Sequence, residues 1–177
     1  MVESLLTLNA GADGENVAVG YRAGKALTEG IQNTLVGVQA GDALTHADYN
    51  VAVGRNALSG DTQGHKSTAV GVGALNVQNH TSSTDTHNVA VGYNAGAAVT
   101  TAVQNTIAGS LAADALTTGN GNTIMGYAAG GAVTTTDHST LIGYEAGGSA
   151  AMTGHDNTYI GMRAGKNTTA GEKNVAI

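Results

Sequence analysis

Residues 122–130 read Asn-Thr-Ile-Met-Gly-Tyr-Ala-Ala-Gly, and residues 33–41 read Asn-Thr-Leu-Val-Gly-Val-Gln-Ala-Gly. The same unit returns at 88–96 as Asn-Val-Ala-Val-Gly-Tyr-Asn-Ala-Gly. Its central glycines are Gly20, Gly37, Gly54, Gly71, Gly92, Gly109, Gly126, Gly143 and Gly161, separated by steps of 17, 17, 17, 21, 17, 17, 17 and 18 residues. An alanine follows each one three residues later. A fixed short period marks a stacked array, in which every repeat makes one turn and leans on its neighbours. The chain divides accordingly into a lead-in or cap at 1–15 and a repeat array at 16–177, with four residues added within 78–87. It stops at Asn174-Val175-Ala176-Ile177, one residue before the next glycine is due, so the array is expected to be cut from a longer protein.

Each unit predicts a short strand ending at its glycine. The residue three before the glycine is always Val or Thr, and β-branched side chains favour extended backbone. The next two residues are apolar in every copy. Strict alternation carried through the glycine puts the residue before it on one face with the alanine, and the residue two before it on the other. Both faces are then apolar, so one is expected to pack inside the turn and the other against a neighbouring chain. The glycine itself serves either a positive φ or the close approach of another backbone, and approach around a shared axis suits the two-faced pattern better.

Asn16, Asn33, Asn50, Asn88, Asn105, Asn122 and Asn157 enter the strands, with Ser67 and Ser139 in two copies, and predict a ladder of side-chain hydrogen bonds. Eight residues past the glycine a second column runs through Thr28, Thr45, Thr62, Thr100, Thr117, Thr134 and Thr169, with Asn79 and Ala151 as exceptions. The segment between glycine and threonine is a candidate second strand. The expected fold is all-β: a parallel β-roll or β-helix solenoid of about ten 17-residue turns, assembled as an intertwined or side-by-side homotrimer.

Composition agrees with thin stacked layers. Among 177 residues there are 27 Gly, no Cys, Pro, Trp or Phe, and only 11% charged residues, so no aromatic core and no disulfide is available. The net charge of −6 is spread out, and no basic run invites nucleic acid. No apolar stretch approaches the ~20 residues of a membrane span, and the N-terminus lacks the pattern of a signal peptide.

Chemistry-bearing residues are scattered. His87 and His138 share a phase, His155 lies one step off, and no His-X-His pair occurs, so they read as turn residues rather than ligands. The acidic residues follow no calcium-binding nonapeptide. Gly119-Asn120-Gly121 precedes a strand, which argues against a phosphate loop. No Ser/His/Asp set has a fixed spacing, and the expectation is a protein without enzymatic activity, metal or cofactor. The inserted stretch, with Asn79, His80, Thr81, Ser82, Ser83, Thr84 and Asp85, is the candidate recognition loop, because insertions in repeat arrays go to loops.

The units at 122–130 and 88–96 resemble the repeats of bacteriophage tail-fibre and tailspike-type proteins, and are similar to the head repeats of trimeric autotransporter adhesins. The resemblance spans Asn16 to Ile177 and concerns the type of repeat. It implies a homotrimer on a virion tail fibre, or extracellular on a cell surface. There it would act as a rigid shaft or head that presents binding to a host cell-surface glycan or protein. Two alternatives are the head domain of a bacterial trimeric adhesin and a monomeric ice-binding β-solenoid with the threonine column as its face.

Overall fold

The computed structural model describes residues 14–148 and 151–177, so nearly all of the expected lead-in at 1–15 lies outside the described residues. Twelve short strands follow one another: β1 Val17–Val19, β2 Thr34–Val36, β3 Val51–Val53, β4 Gly64–His65, β5 Thr68–Val70, β6 Thr84–Asp85, β7 Val89–Val91, β8 Thr106–Ala108, β9 Thr123–Met125, β10 Thr140–Ile142, β11 Thr158–Ile160 and β12 Val175–Ala176. All except β4 and β6 form one ten-stranded parallel sheet in chain order. Equivalent positions pair without slippage, as in Thr106↔Thr123, Ile107↔Ile124 and Ala108↔Met125. The chain is therefore an all-β parallel solenoid with one sheet strand per turn, as its period predicts. Stacking at ~4.8 Å per turn makes the sheet about 43 Å long.

Three columns build the core. The middle strand residue points inward, and Leu35, Ala52, Ala69, Ala90, Ile107, Ile124 and Leu141 are fully buried. The alanine three past the glycine is buried too, from Ala23 through Ala146. The third column lies seven past the glycine and holds Leu27, Leu44, Val99, Leu116 and Val133. Alternation carried through the glycine put this alanine on one face with the residue before the glycine, and the structure corrects that grouping: the alanine is buried and the residue before the glycine points outward. The motif glycines have φ between 127° and 140°, so the chain turns there and the alternation restarts.

Gly126 shows why no other residue fits. Its φ is +130°, and an added Cβ would lie 2.5 Å from the carbonyl oxygen of Gly143. The close approach seen here is between successive turns of one chain. Past the glycine the backbone is turns, not a second strand, with left-handed residues two and four positions on, such as Gln39 (φ 58°) and Gly41 (φ 56°).

The position four past the glycine and the third core column share one space. A Cβ on Gly41 would come within 2.7 Å of Leu44 Cδ1 and 2.8 Å of Leu35 Cδ2. Glycine here makes room for the leucine, as in Gly24/Leu27 and Gly41/Leu44, and for valine in Gly96/Val99 and Gly130/Val133. Two adjacent turns reverse the arrangement. Leu58 and Leu75 occupy the first position, fully buried, and the third column carries Asp61 and Gln78. The volume is kept, and two polar groups enter the core.

Candidate functional site

Three hydrogen-bond ladders hold the turns in register. In the first, each asparagine closes its own turn and grips the next. Asn105 is fully buried; its Nδ2 donates to the Gly119 carbonyl at 2.9 Å, and its Oδ1 accepts from Asn122 N–H at 2.9 Å. Asn33, Asn50, Asn88, Asn122 and Asn157 close their turns alike, and Asn16 does so through the Gly30 carbonyl.

In the second ladder, Thr28, Thr45, Thr100 and Thr117 each donate Oγ1–H to the carbonyl of the threonine one turn on, at 2.9 to 3.1 Å. Ala151 is not the ladder residue of its turn. In this turn the column is taken up two residues on by Thr153, whose N–H reaches the Thr169 carbonyl at 3.1 Å.

The third ladder was hidden in the sequence because its residue types differ. Asp48, His65, Asn120, Asp137 and His155 accept the backbone N–H of Ile31, Asp48, Val103, Asn120 and Asp137 respectively, at 2.6 to 2.9 Å. His155 thus belongs to a structural column through its Nδ1, whereas His87 and His138 occupy exposed left-handed corners with φ near 51° and 52°. The ladder also brings Asp48, His65 and Ser83 together. His65 Nδ1 accepts from Asp48 N–H at 2.9 Å, so the ring proton sits on Nε2, 2.9 Å from Ser83 Oγ. In that tautomer His65 donates to Ser83, the reverse of what a serine nucleophile requires.

The first candidate surface is the outside of the ten-stranded sheet. Strand residues flanking the buried one point outward, and the residue after the glycine joins them. Seventeen large apolar side chains are exposed among the described residues, and all but Tyr49 and Val77 lie in these three columns. Val19, Val91, Met125 and Ile160 form one column; Tyr21, Tyr93, Tyr127 and Tyr144 mark another. Tyr127 and Tyr144 stack with ring centres 5.5 Å apart. The third column alternates valine and threonine from Val17 to Val89 and is threonine at Thr106, Thr123, Thr140 and Thr158, and Arg55 is the sole charge in the stripe. From strand spacing and rise the stripe covers about 43 by 13 Å, or roughly 600 Å². That is at the upper end of the largest apolar patch on an ordinary monomer, about 300–600 Å².

The second candidate surface is the inserted turn. Strands β4 and β6 pair in parallel as a separate two-stranded sheet, Gly64↔Thr84 and His65↔Asp85. Asn79, Thr81, Ser82, Ser83 and Asp85 are exposed and Thr84 is half-buried, but His80 turns inward. Lys66 Nζ meets Asp85 Oδ2 at 2.6 Å and holds that carboxyl below its usual range.

Beneath the insert lies a buried polar cluster. Asp61 accepts from Gln78 Nε2 at 2.5 Å, His80 N–H at 2.9 Å and Gly64 N–H at 3.1 Å. Gln78 also donates to Ser67 Oγ at 3.0 Å and accepts from Asn88 Nδ2 at 2.8 Å. Thr86 spends its hydroxyl proton on the His65 carbonyl, so Ser67 donates to Thr86. This network replaces the asparagine ladder where the added residues interrupt it. Burial alone would raise the Asp61 carboxyl, but the donors around it and the His80 charge hold it below the usual range. The chain matches no known protein family, curated protein or solved structure in such comparisons.

Proposed function

We propose that this chain is a structural and adhesive fibre segment in which three copies bury the outer face of the sheet against one another. It would be a rigid section of a phage tail fibre or similar surface fibre. The observation that carries this reading is the stripe. Each strand is apolar inside, and its outer face is largely apolar at every level except β8, where Thr106, Ala108 and Ser110 face out. A lone solenoid gains nothing from an oily outer row, whereas roughly 600 Å² per copy approaches the ~800 Å² that each partner gives to a stable interface. Ten levels of identical backbone pairing supply stiffness. Three copies of the inserted turn would then offer Asn79, Thr81, Ser82, Ser83, Thr84 and Asp85 to a host glycan or protein, and weak contacts would add by avidity. The head domain of a bacterial trimeric adhesin would use the same geometry. The threonine column supports ice binding less well, because its hydroxyl protons are spent on the next turn's carbonyls.

The test places charge on the stripe without touching the core. Val91 and Met125 are 43% and 41% exposed, on the outer face. In the double variant Val91→Glu, Met125→Glu, circular dichroism should stay that of the wound coil while light scattering reports single chains. An unchanged oligomer in that variant would remove the stripe from the interface.

A further inference from the structure

Asp61 and His80 take no part in the stripe or in the displayed loop, yet both are buried where the insert meets the coil. Asp61 is fully buried and His80 is 7% exposed. His80 Nε2 lies 3.3 Å from the Thr101 carbonyl oxygen, which only accepts, so Nε2 carries a proton. Nδ1 is buried, makes no hydrogen bond, and lies 3.7 Å from Asp61 Oδ2. A neutral ring would turn a bare lone pair toward a buried carboxylate. An imidazolium turns an N–H toward it instead. The carboxylate is committed as an acceptor by its three donors from Gln78, His80 and Gly64.

We infer that Asp61 and His80 form a buried ion-pair latch that clamps the inserted turn onto the coil, and that losing the His80 proton loosens this turn while the rest stays wound. Thr81–Ser83 runs between the latch and β6, so the order of the displayed loop follows the latch. The neighbouring charges are paired elsewhere. On the β4 side Lys66 faces Asp85 on β6, His65 is held between the Asp48 N–H and Ser83 Oγ with the Asp48 carboxylate 3.4 Å from its Nδ1, and the Thr101 turn offers its carbonyl. The directions of titration agree. The Asp61 carboxylate raises His80 against the opposing effect of burial, and Asp61 itself is lowered. The raised histidine contributes in full below about pH 6.5 and is lost as pH climbs through its native value. The lowered carboxyl contributes above about pH 3.9 and is lost as pH falls through its native value. The latch is complete in the window between.

The experiment is residue-resolved amide exchange on the whole chain from pH 5 to 9, corrected for intrinsic rates. Protection at residues 78–88 should fall by up to about tenfold per pH unit above pH 6.5, while β8 and β9 hold theirs. The variant His80→Gln should show the weakened protection already at pH 6 and lose the pH dependence. Nitrogen NMR of the unsubstituted protein decides independently of any variant: both ring nitrogens of His80 should be protonated at pH 6. A bare Nδ1 at that pH, or an equal slope in His80→Gln, would overturn the latch.

Discussion

The turns headed by Gly92, Gly109 and Gly126 and those headed by Gly54 and Gly71 share one backbone plan and solve the core differently. In the first group a small residue opens space for Val99, Leu116 or Val133, and the asparagine ladder runs through Asn88, Asn105 and Asn122 unbroken. In the second, Leu58 and Leu75 move into the space, Asp61 and Gln78 take the vacated column, and Ser67 and Thr86 stand in for the ladder. The regular turns are held by burial and repeated bonds. The irregular ones depend on a single polar network whose members must all be present, because a buried group left without its partner costs about 1–3 kcal/mol. The insertion sits where the core is polar.

The largest expected effect breaks the regular half. In Gly126→Val the Cβ meets the Gly143 carbonyl at 2.5 Å and φ is +130°, so neither rotamer change nor small relaxation relieves it. The loss should exceed about 4 kcal/mol, the range kept for core and backbone failures. Denaturant unfolding would measure it; a loss under about 1 kcal/mol would mean that successive turns do not approach as described.

The next prediction imports the irregular solution into a regular turn. Gly130→Leu alone overpacks Leu141 and Ile124, which lie 3.2 and 3.3 Å from the added Cβ, and should cost about 1–3 kcal/mol. Combining it with Val133→Ala should return at least about 1 kcal/mol relative to the sum of the single changes. Strict additivity in that double-mutant cycle would show that the two positions do not share a space.

Smaller still is Thr117→Val, which deletes the Oγ1 bond to the Thr134 carbonyl and keeps the backbone bond beside it. A loss of about 1 kcal/mol is expected by thermal or chemical unfolding. No change at all would make the threonine column ornamental.

Much of this was legible before any coordinates. Nine glycines at a 17-residue step gave the winding, β-branched residues before them gave the strands, and asparagines at the entry gave the first ladder. What escaped had physical reasons. A glycine with φ near +130° cuts the alternation of faces, so Ala40 and Ala129 read as sharing a face with Val36 and Met125, although both alanines are fully buried and that face turns outward. The third ladder mixes Asp, Asn and His, because any acceptor of the right reach serves, and chemical dissimilarity concealed it. The exchange of Leu27-type for Leu58-type packing needed knowledge that two positions three residues apart enter one space. His80 looked like one more polar residue of a loop, and only its burial against Asp61 sets it apart from Thr81 and Ser82.

The account as a whole turns on what covers the outer row of Val, Ile, Met and Tyr. Light scattering on the purified chain at neutral pH answers this most directly. A mass near three times 17.4 kDa is the predicted result. A stable species of 17.4 kDa, with Val91 and Met125 open to water, would contradict it.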